Sequence, residues 1–336
     1  MIEDSRVGQA WRHVVGPQGD IFEADAIREG SWLVYHYGLS NLERYCAKRN
    51  LVALPAESET LKGWIRWMFD EEGLSAKTIA TYVSGVCIAH DARNLTINTR
   101  ALKKTLKAVR ERASSRQAAP LMAADLKDIM RTLDVRKPAD SRDAVVGIIG
   151  LMCGSRQDEI VTLDWEREGP ANTGCKGFMR AVRGGYEVVL LQHKTSKGKP
   201  HVFTILNRDA PTLRKWLGAW LAFARIAPGT PLVRTVSRWG HIGLIRPKSR
   251  IVCEIIRRRV QRQLVAGGTK PTDAFMRAQR FSGHSLRAGL VSETAKRGVH
   301  VSKMQARSRH KSTDILLDYV RIAEDRRDSA VKGLKL

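Results

Sequence analysis

Apolar residues recur at helical spacing along most of this chain of 336 residues, and the pattern turns β-like only in two neighbouring runs, residues 186–192 and 201–206. Between the runs lies Thr195-Ser-Lys-Gly-Lys-Pro200, a segment of turn formers, so the pair reads as a hairpin. A chain so patterned is expected to fold as a mainly α protein whose second half is helical with a small antiparallel sheet. Its length exceeds what one core usually serves. The stretch Ala113-Ser-Ser-Arg-Gln-Ala-Ala-Pro120, small, polar and closed by proline, reads as the boundary. The expected division is a flexible leader over residues 1–20, a helical domain over 21–112, a linker over 113–120 and a second domain over 121–336.

Within this outline several helices have clear faces. One starts at Ser75 as N-cap and lines up Ile79, Val83 and Val86. Another, over about 101–112, turns Leu102, Leu106 and Val109 inward and Lys103, Lys104, Lys107 and Arg110 outward. In the second half, helices are expected at about 123–134 and 141–152, with a further one starting at Ser155. Over 250–265, Val252, Ile255, Ile256, Val260 and Leu264 oppose Arg250, Arg257, Arg258 and Arg262.

Lys and Arg number 58 against 34 Asp and Glu, a formal charge of +24. Such a field attracts polyanions and opposes self-association. Basic residues recur from Arg44 to Lys335 instead of concentrating in one amphipathic anchor, which favours a long nucleic acid over a membrane surface. Cys46, Cys87, Cys153, Cys175 and Cys253 are widely spaced, with no CxxC, and read as reduced thiols. The opening MIEDSRVGQA is acidic and polar, unlike a secretory signal, and no apolar run reaches membrane-spanning length. A cytoplasmic protein with no membrane partner is expected.

No GxxxxGKS or GxxxxGKT, no acidic metal cluster and no HExxH occurs, so neither a nucleotide nor a metal cofactor is expected. What remains is a set of cationic residues and one tyrosine. His284-Ser-Leu-Arg287 sets an imidazole and a guanidinium at i, i+3, on one face of a helix. With Ser155 as N-cap and Asp158 three residues on, Arg156 lies where backbone N–H groups and the helix dipole favour an anion. Two arginine forks can hold the non-bridging oxygens of one phosphate. They would oppose the charge that builds as phosphorus becomes five-coordinate. Each feature alone has an ordinary explanation. Arg156 could pair with Glu159 at the surface, and Tyr319 fits a core stripe with Ile315, Leu316 and Val320.

The order and spacing carry more. Gly154-Ser-Arg156-Gln-Asp-Glu159, His193-Lys194-Thr195, Gly283-His284-Ser-Leu-Arg287-Ala-Gly289 and His310-Lys-Ser-Thr-Asp-Ile-Leu-Leu-Asp-Tyr319 together resemble the tyrosine recombinase (phage integrase) family. The likeness runs from about residue 40 to the end and is nearest to the Cre-like, two-domain site-specific recombinases. It implies a DNA clamp made of a helical core-binding domain and a catalytic domain. It also implies Tyr319 as the nucleophile on the scissile phosphate, leaving a 3′-phosphotyrosine and a free 5′-hydroxyl. Arg156 and Arg287 would clamp the phosphate, and His284 and His310 would hydrogen-bond it and assist proton transfer. Lys194 would be the general acid for the departing 5′-oxygen, with Lys197 and Lys199 as rivals close in sequence. Glu159 would orient and neutralise the arginines. The covalent link keeps the energy of the phosphodiester, so religation would need neither ATP nor metal. One departure stands out: Ser308-Arg309 precedes His310 where the family usually has a small, glycine-containing turn.

The segment Gly73-Leu-Ser-Ala-Lys-Thr-Ile-Ala80 resembles the DNA-contacting helix of the same recombinases, which implies that Lys77, Thr78 and Thr81 face the major groove. Arg250 and Arg258 are further DNA-binding candidates. The implied partners are a double-stranded target with inverted repeats and three further copies of the chain, a homotetramer on two sites, with an accessory directionality factor compatible with both. A bacterial, phage or mobile-element origin and association with the nucleoid go with this reading. The short leader leaves no room for a separate arm-binding domain, which favours a simple recombinase. A type IB topoisomerase-like relaxase, with the same chemistry and no synapsis, and a catalytically idle DNA-binding protein of this fold are the rivals.

Overall fold

The computed structural model describes residues 6–17, 27, 29–113, 118–166, 174–191, 199–310 and 312–327. Its backbone falls into two compact units, Met1–Arg116 and Gln117–Leu336. The expected linker lies partly outside the described residues, as does most of the turn over 195–200. No helix among the described residues is long and apolar enough to cross a membrane.

The first unit is helical: α1 (Arg6–Val15), α2 (Glu29–Ala47), α3 (Ser58–Asp70), α4 (Ala76–Asp91) and α5 (Thr99–Arg112). The first of these stands where a flexible leader over residues 1–20 was expected, and it is a helix. Val7, Ala10, Trp11, Val14 and Val15 follow the i, i+3, i+4, i+7, i+8 spacing of a helix that buries one face. The Arg93 guanidinium closes its end by donating to the carbonyls of Val14 and of His13, the latter at 3.0 Å. Trp11 and Val14 join Trp32, Leu39, Leu42, Trp64, Ile65, Met68, Ile79 and Val86 in one core. Two glycines let α2 and α4 approach closely. A Cβ at Gly38 would stand 2.8 Å from the Tyr82 Cα, and one at Gly85 would stand 2.7 Å from the Tyr35 Cα. As expected, Ser75 caps α4, its Oγ accepting the Thr78 N–H at 3.1 Å.

The second unit holds α6 (Ala123–Arg131), α7 (Pro138–Cys153), α8 (Gln157–Val161), β1 (Leu163–Trp165), β2 (Gly177–Val182), β3 (Gly185–Leu190), β4 (His201–Leu206), α9 (Leu213–Ala224), β5 (Thr230–Pro231), α10 (Arg250–Ala266), α11 (Pro271–Ala278), α12 (Ser285–Lys296), α13 (Val301–Ser308) and α14 (Asp314–Arg327). The expected hairpin is β3·β4, antiparallel with Leu190 opposite His201. It is part of a five-stranded sheet ordered β4-β3-β2-β1-β5, in which β1 and β2 run parallel, so the sheet is mixed. Helix α7 runs through the centre of this unit, buried along nearly its whole length.

A polar network inside this unit changes the reading of α10. Asp143 of α7 is fully buried and accepts from Arg142 at 2.9 and 2.7 Å, from Arg258 at 2.8 Å and from Arg259 at 2.6 Å. Arg259 also reaches Asp140 at 2.5 Å. Burial alone would raise the Asp143 carboxyl. Arg142, Arg259 and Arg258 outweigh it and hold that carboxyl below its ordinary value. Arg258, a DNA-binding candidate in the sequence, donates to Asp143 from a side chain that stays 42% exposed. Arg257 likewise donates to the Phe281 carbonyl at 2.8 Å. Arg250 is exposed and pairs with Glu254 one turn on, at 3.1 Å.

Candidate active site

The site is built where α7 ends. Gly154 terminates that helix at φ 54°, a left-handed turn that glycine adopts without strain. The chain then enters α8 with Arg156, not Ser155, at the N-cap position. Glu159, three residues on, reaches back to accept the Arg156 N–H at 2.8 Å and its Nη1 at 2.9 Å. This corrects the expected cap. Ser155 is buried with its Oγ unpartnered among the described residues, and Asp158 pairs outward with Lys176 at 3.0 Å.

Arg287, in the first turn of α12, comes to the same place from the other side. It is only 2% exposed; Nη1 donates to the Gly154 carbonyl at 2.9 Å, and Nη2 has no partner among the described residues. Burial, then the charges of Arg156 and Arg309, lower its guanidinium to about 9, so it stays charged at neutral pH. His284 is the exposed N-cap residue of α12, its N–H donating to Ser282 Oγ at 3.1 Å.

The turn between α13 and α14 supplies the rest. Arg309 takes φ 55°, a conformation that glycine favours, so the backbone forms the turn despite the side chain. Its guanidinium grips Glu159 at 3.0 and 2.7 Å and lies 4.8 Å over the ring of Phe203 from β4. Glu159 therefore partners Arg156 and Arg309; the expected pairing with Arg287 is not made through a hydrogen bond. Burial would raise the Glu159 carboxyl, and Arg309 and Arg156 hold it below the ordinary range.

His310 is half-buried, and burial, with Arg287 and Arg156 next, lowers it to about 4. Its tautomer follows from proton counting. Ser308 Oγ contacts the Met304 carbonyl at 2.7 Å and His310 Nδ1 at 2.7 Å. The carbonyl brings no proton, so the serine's own proton goes there and the imidazole must donate from Nδ1. Nε2 is then an acceptor with no partner among the described residues.

Tyr319 lies on α14, half-buried beside Val291 and Ala295 of α12, Met304 of α13 and Leu316. Burial raises its phenol above the ordinary value. Arg156, Glu159, Arg287 and His310 are thus brought into one cluster with His284 in its field, and Tyr319 is carried by the helix that follows. Lys194 and Lys197 lie outside the described residues, and Lys199 is exposed at the entry to β4. Sequence reasoning missed the Arg309–Glu159 pair and the Phe203 ring beneath it. The signal was there in Arg309 itself, a charged residue at a position suited to glycine.

In the first unit, Lys77 is exposed in the first turn of α4, Thr78 Oγ lies 2.8 Å from Ser75 Oγ, and Thr81 Oγ donates to the Lys77 carbonyl at 2.9 Å. Lys77 and Thr81 line a concave surface with Tyr35, Ser84 and Arg110, the last not foreseen as part of it.

No protein-family model matches the sequence. No curated protein matches it either. Solved structures do. The XerH site-specific recombinase bound to palindromic difH substrate aligns at a TM-score of 0.61 with 13% identity, over 94% of this chain and 83% of that one. The Tn1549 transposon integrase in complex with transposon right end DNA aligns at 0.59 with 15% identity, over 94% and 98%. A lambda integrase dimer bound to a core site aligns at 0.52 with 15% identity, over 89% and 91%. At such identities the likeness is one of fold.

Proposed function

The chain has the fold of the tyrosine recombinases, and on that premise we propose that it is a site-specific DNA recombinase that cleaves and rejoins strands through Tyr319. One observation supports the reading above the others. Arg287 is buried with an unpartnered terminal nitrogen among the described residues, next to Arg156 and to an imidazole with an open acceptor. A buried donor left without a partner is costly, and a phosphate oxygen would satisfy it.

The Tyr319 oxygen attacks phosphorus as its proton passes to His310 Nε2, so the O–H bond breaks as N–H and O–P bonds form. Because burial raises the phenol, the proton must be taken during attack rather than before it. Arg156 and Arg287 hold the non-bridging oxygens, and His284 hydrogen-bonds one of them. Lys194 protonates the 5′-oxygen as it leaves. Attack by a 5′-hydroxyl on the phosphotyrosine reverses every step. Residues 21–112 bind the core DNA through Lys77, Thr78 and Thr81, residues 113–120 link the halves, and residues 121–336 perform the chemistry, with Arg250 on the DNA backbone. Four copies act on two inverted-repeat sites.

The test is covalent trapping. Nicked duplexes cut from the DNA flanking the gene should yield a protein–DNA adduct on a denaturing gel with the wild-type protein and none with Tyr319→Phe, which should still bind. An adduct in the variant would remove Tyr319 as nucleophile.

A further inference from the structure

Arg309 occupies a backbone conformation that a side chain makes unfavourable, φ 55°, yet it is buried, 7% exposed. Strain of this kind persists only where the surroundings hold it. Here they do so through two hydrogen bonds to Glu159, at 3.0 and 2.7 Å, and the Phe203 ring at 4.8 Å. Three guanidiniums, those of Arg156, Arg287 and Arg309, thus share a neighbourhood with one buried carboxylate. Both oxygens of that carboxylate are occupied, Oε1 by Arg156 Nη1 and Arg309 Nη1, and Oε2 by the Arg156 N–H and Arg309 Nη2. Arg287 is the cation left over, anchored at Nη1 by the Gly154 carbonyl and unpartnered at Nη2 among the described residues.

We propose that Arg309 is a positioning residue for the phosphate site: by saturating Glu159 it keeps the Arg287 terminus unpaired and available to an anion. The inference rests on the recombinase reading and deepens it. Arg156 and Arg309 share the one carboxylate, and Arg287 is the guanidinium of the three that makes no hydrogen bond to it. Without Arg309, Glu159 retains one cation and two free lone-pair sites, and Arg287, which already feels its charge, turns toward it and leaves the phosphate.

Arg309→Gly tests this with the turn preserved, since glycine adopts the same φ freely. Adduct formation on nicked duplex should fall about tenfold or more, with duplex affinity nearly unchanged. Adding Glu159→Gln should restore about threefold or more of the lost rate. The neutral amide still accepts from Arg156 but no longer draws Arg287 away. A second readout does not need cleavage: inorganic phosphate, titrated calorimetrically, should bind more weakly to Arg309→Gly and regain affinity in the double variant. Thermal unfolding of each variant monitors the fold, and Arg309→Asn, which tolerates the left-handed region, replaces the glycine if that variant melts early. Wild-type rate and phosphate affinity in Arg309→Gly, or a double variant no better than the single one, would overturn the proposal. If the wild-type protein itself forms no adduct, the recombinase reading fails, and the phosphate titration still decides the role of Arg309.

Discussion

His310 and Arg287 sit in one positive field and respond to it in opposite ways that both serve an anion. Arg287 stays charged, while burial and the neighbouring guanidiniums leave His310 neutral until about pH 4. A base lowered this far is available across the neutral range and is lost only as pH falls through its lowered value. Cleavage at subsaturating DNA should therefore hold level from pH 7 down to about 5 and decline near 4. An acid limb near 6.5, the ordinary histidine value, would take the role of base away from His310. At this scale, Arg156, His284, Arg287, His310 and Tyr319 stand out as candidates in the sequence because short, ordered motifs hold them. The partners were not. Ser155 has the chemistry of a cap, but Glu159 reaches back to the same turn and does the capping, a competition that spacing alone does not decide.

Helix α10 shows how an element misleads when read by itself. Its basic face looks solvent-directed, yet Asp143, 115 residues away from Arg258, takes both Arg258 and Arg259. Replacing Asp143 by Asn would leave Arg142 buried without a carboxylate and Arg259 with Asp140 as its one remaining carboxylate partner. The second unit should lose about 3–5 kcal/mol in urea unfolding; a loss below about 1 kcal/mol would mean that the network contributes little. The pH dependence has a definite sign. The Asp143 carboxyl is lowered from 3.8 in the fold, so its contribution is present above that value and is lost as pH falls through the lower one. The Asn variant should lack that part of the acid transition. Elsewhere, α1 carries a helical spacing that the reading of residues 1–20 as a flexible leader missed, whereas β1, of three residues, and β5, of two, exist through their pairing with β2 and with each other, which no local pattern reports. The hairpin β3·β4 was visible because each run is long enough to show β character alone.

Taken whole, the chain joins a charge of +24 to a fold shared, over 94% of its length, with a recombinase solved on its DNA substrate. The charge is plain in the composition, and the small, polar stretch read over residues 113–120 lies at the boundary between the two units, after Arg116. What separates recombination from relaxation is whether strands change partners, and that belongs to the assembly rather than to any residue. Two duplexes of different length, each carrying the DNA that flanks the gene and each labelled on one strand, supply the test. Wild-type protein should produce duplexes of recombinant length carrying both labels, and Tyr319→Phe should produce none. Relaxation of a supercoiled plasmid bearing the same site, with no exchange between the labelled duplexes, would contradict the account.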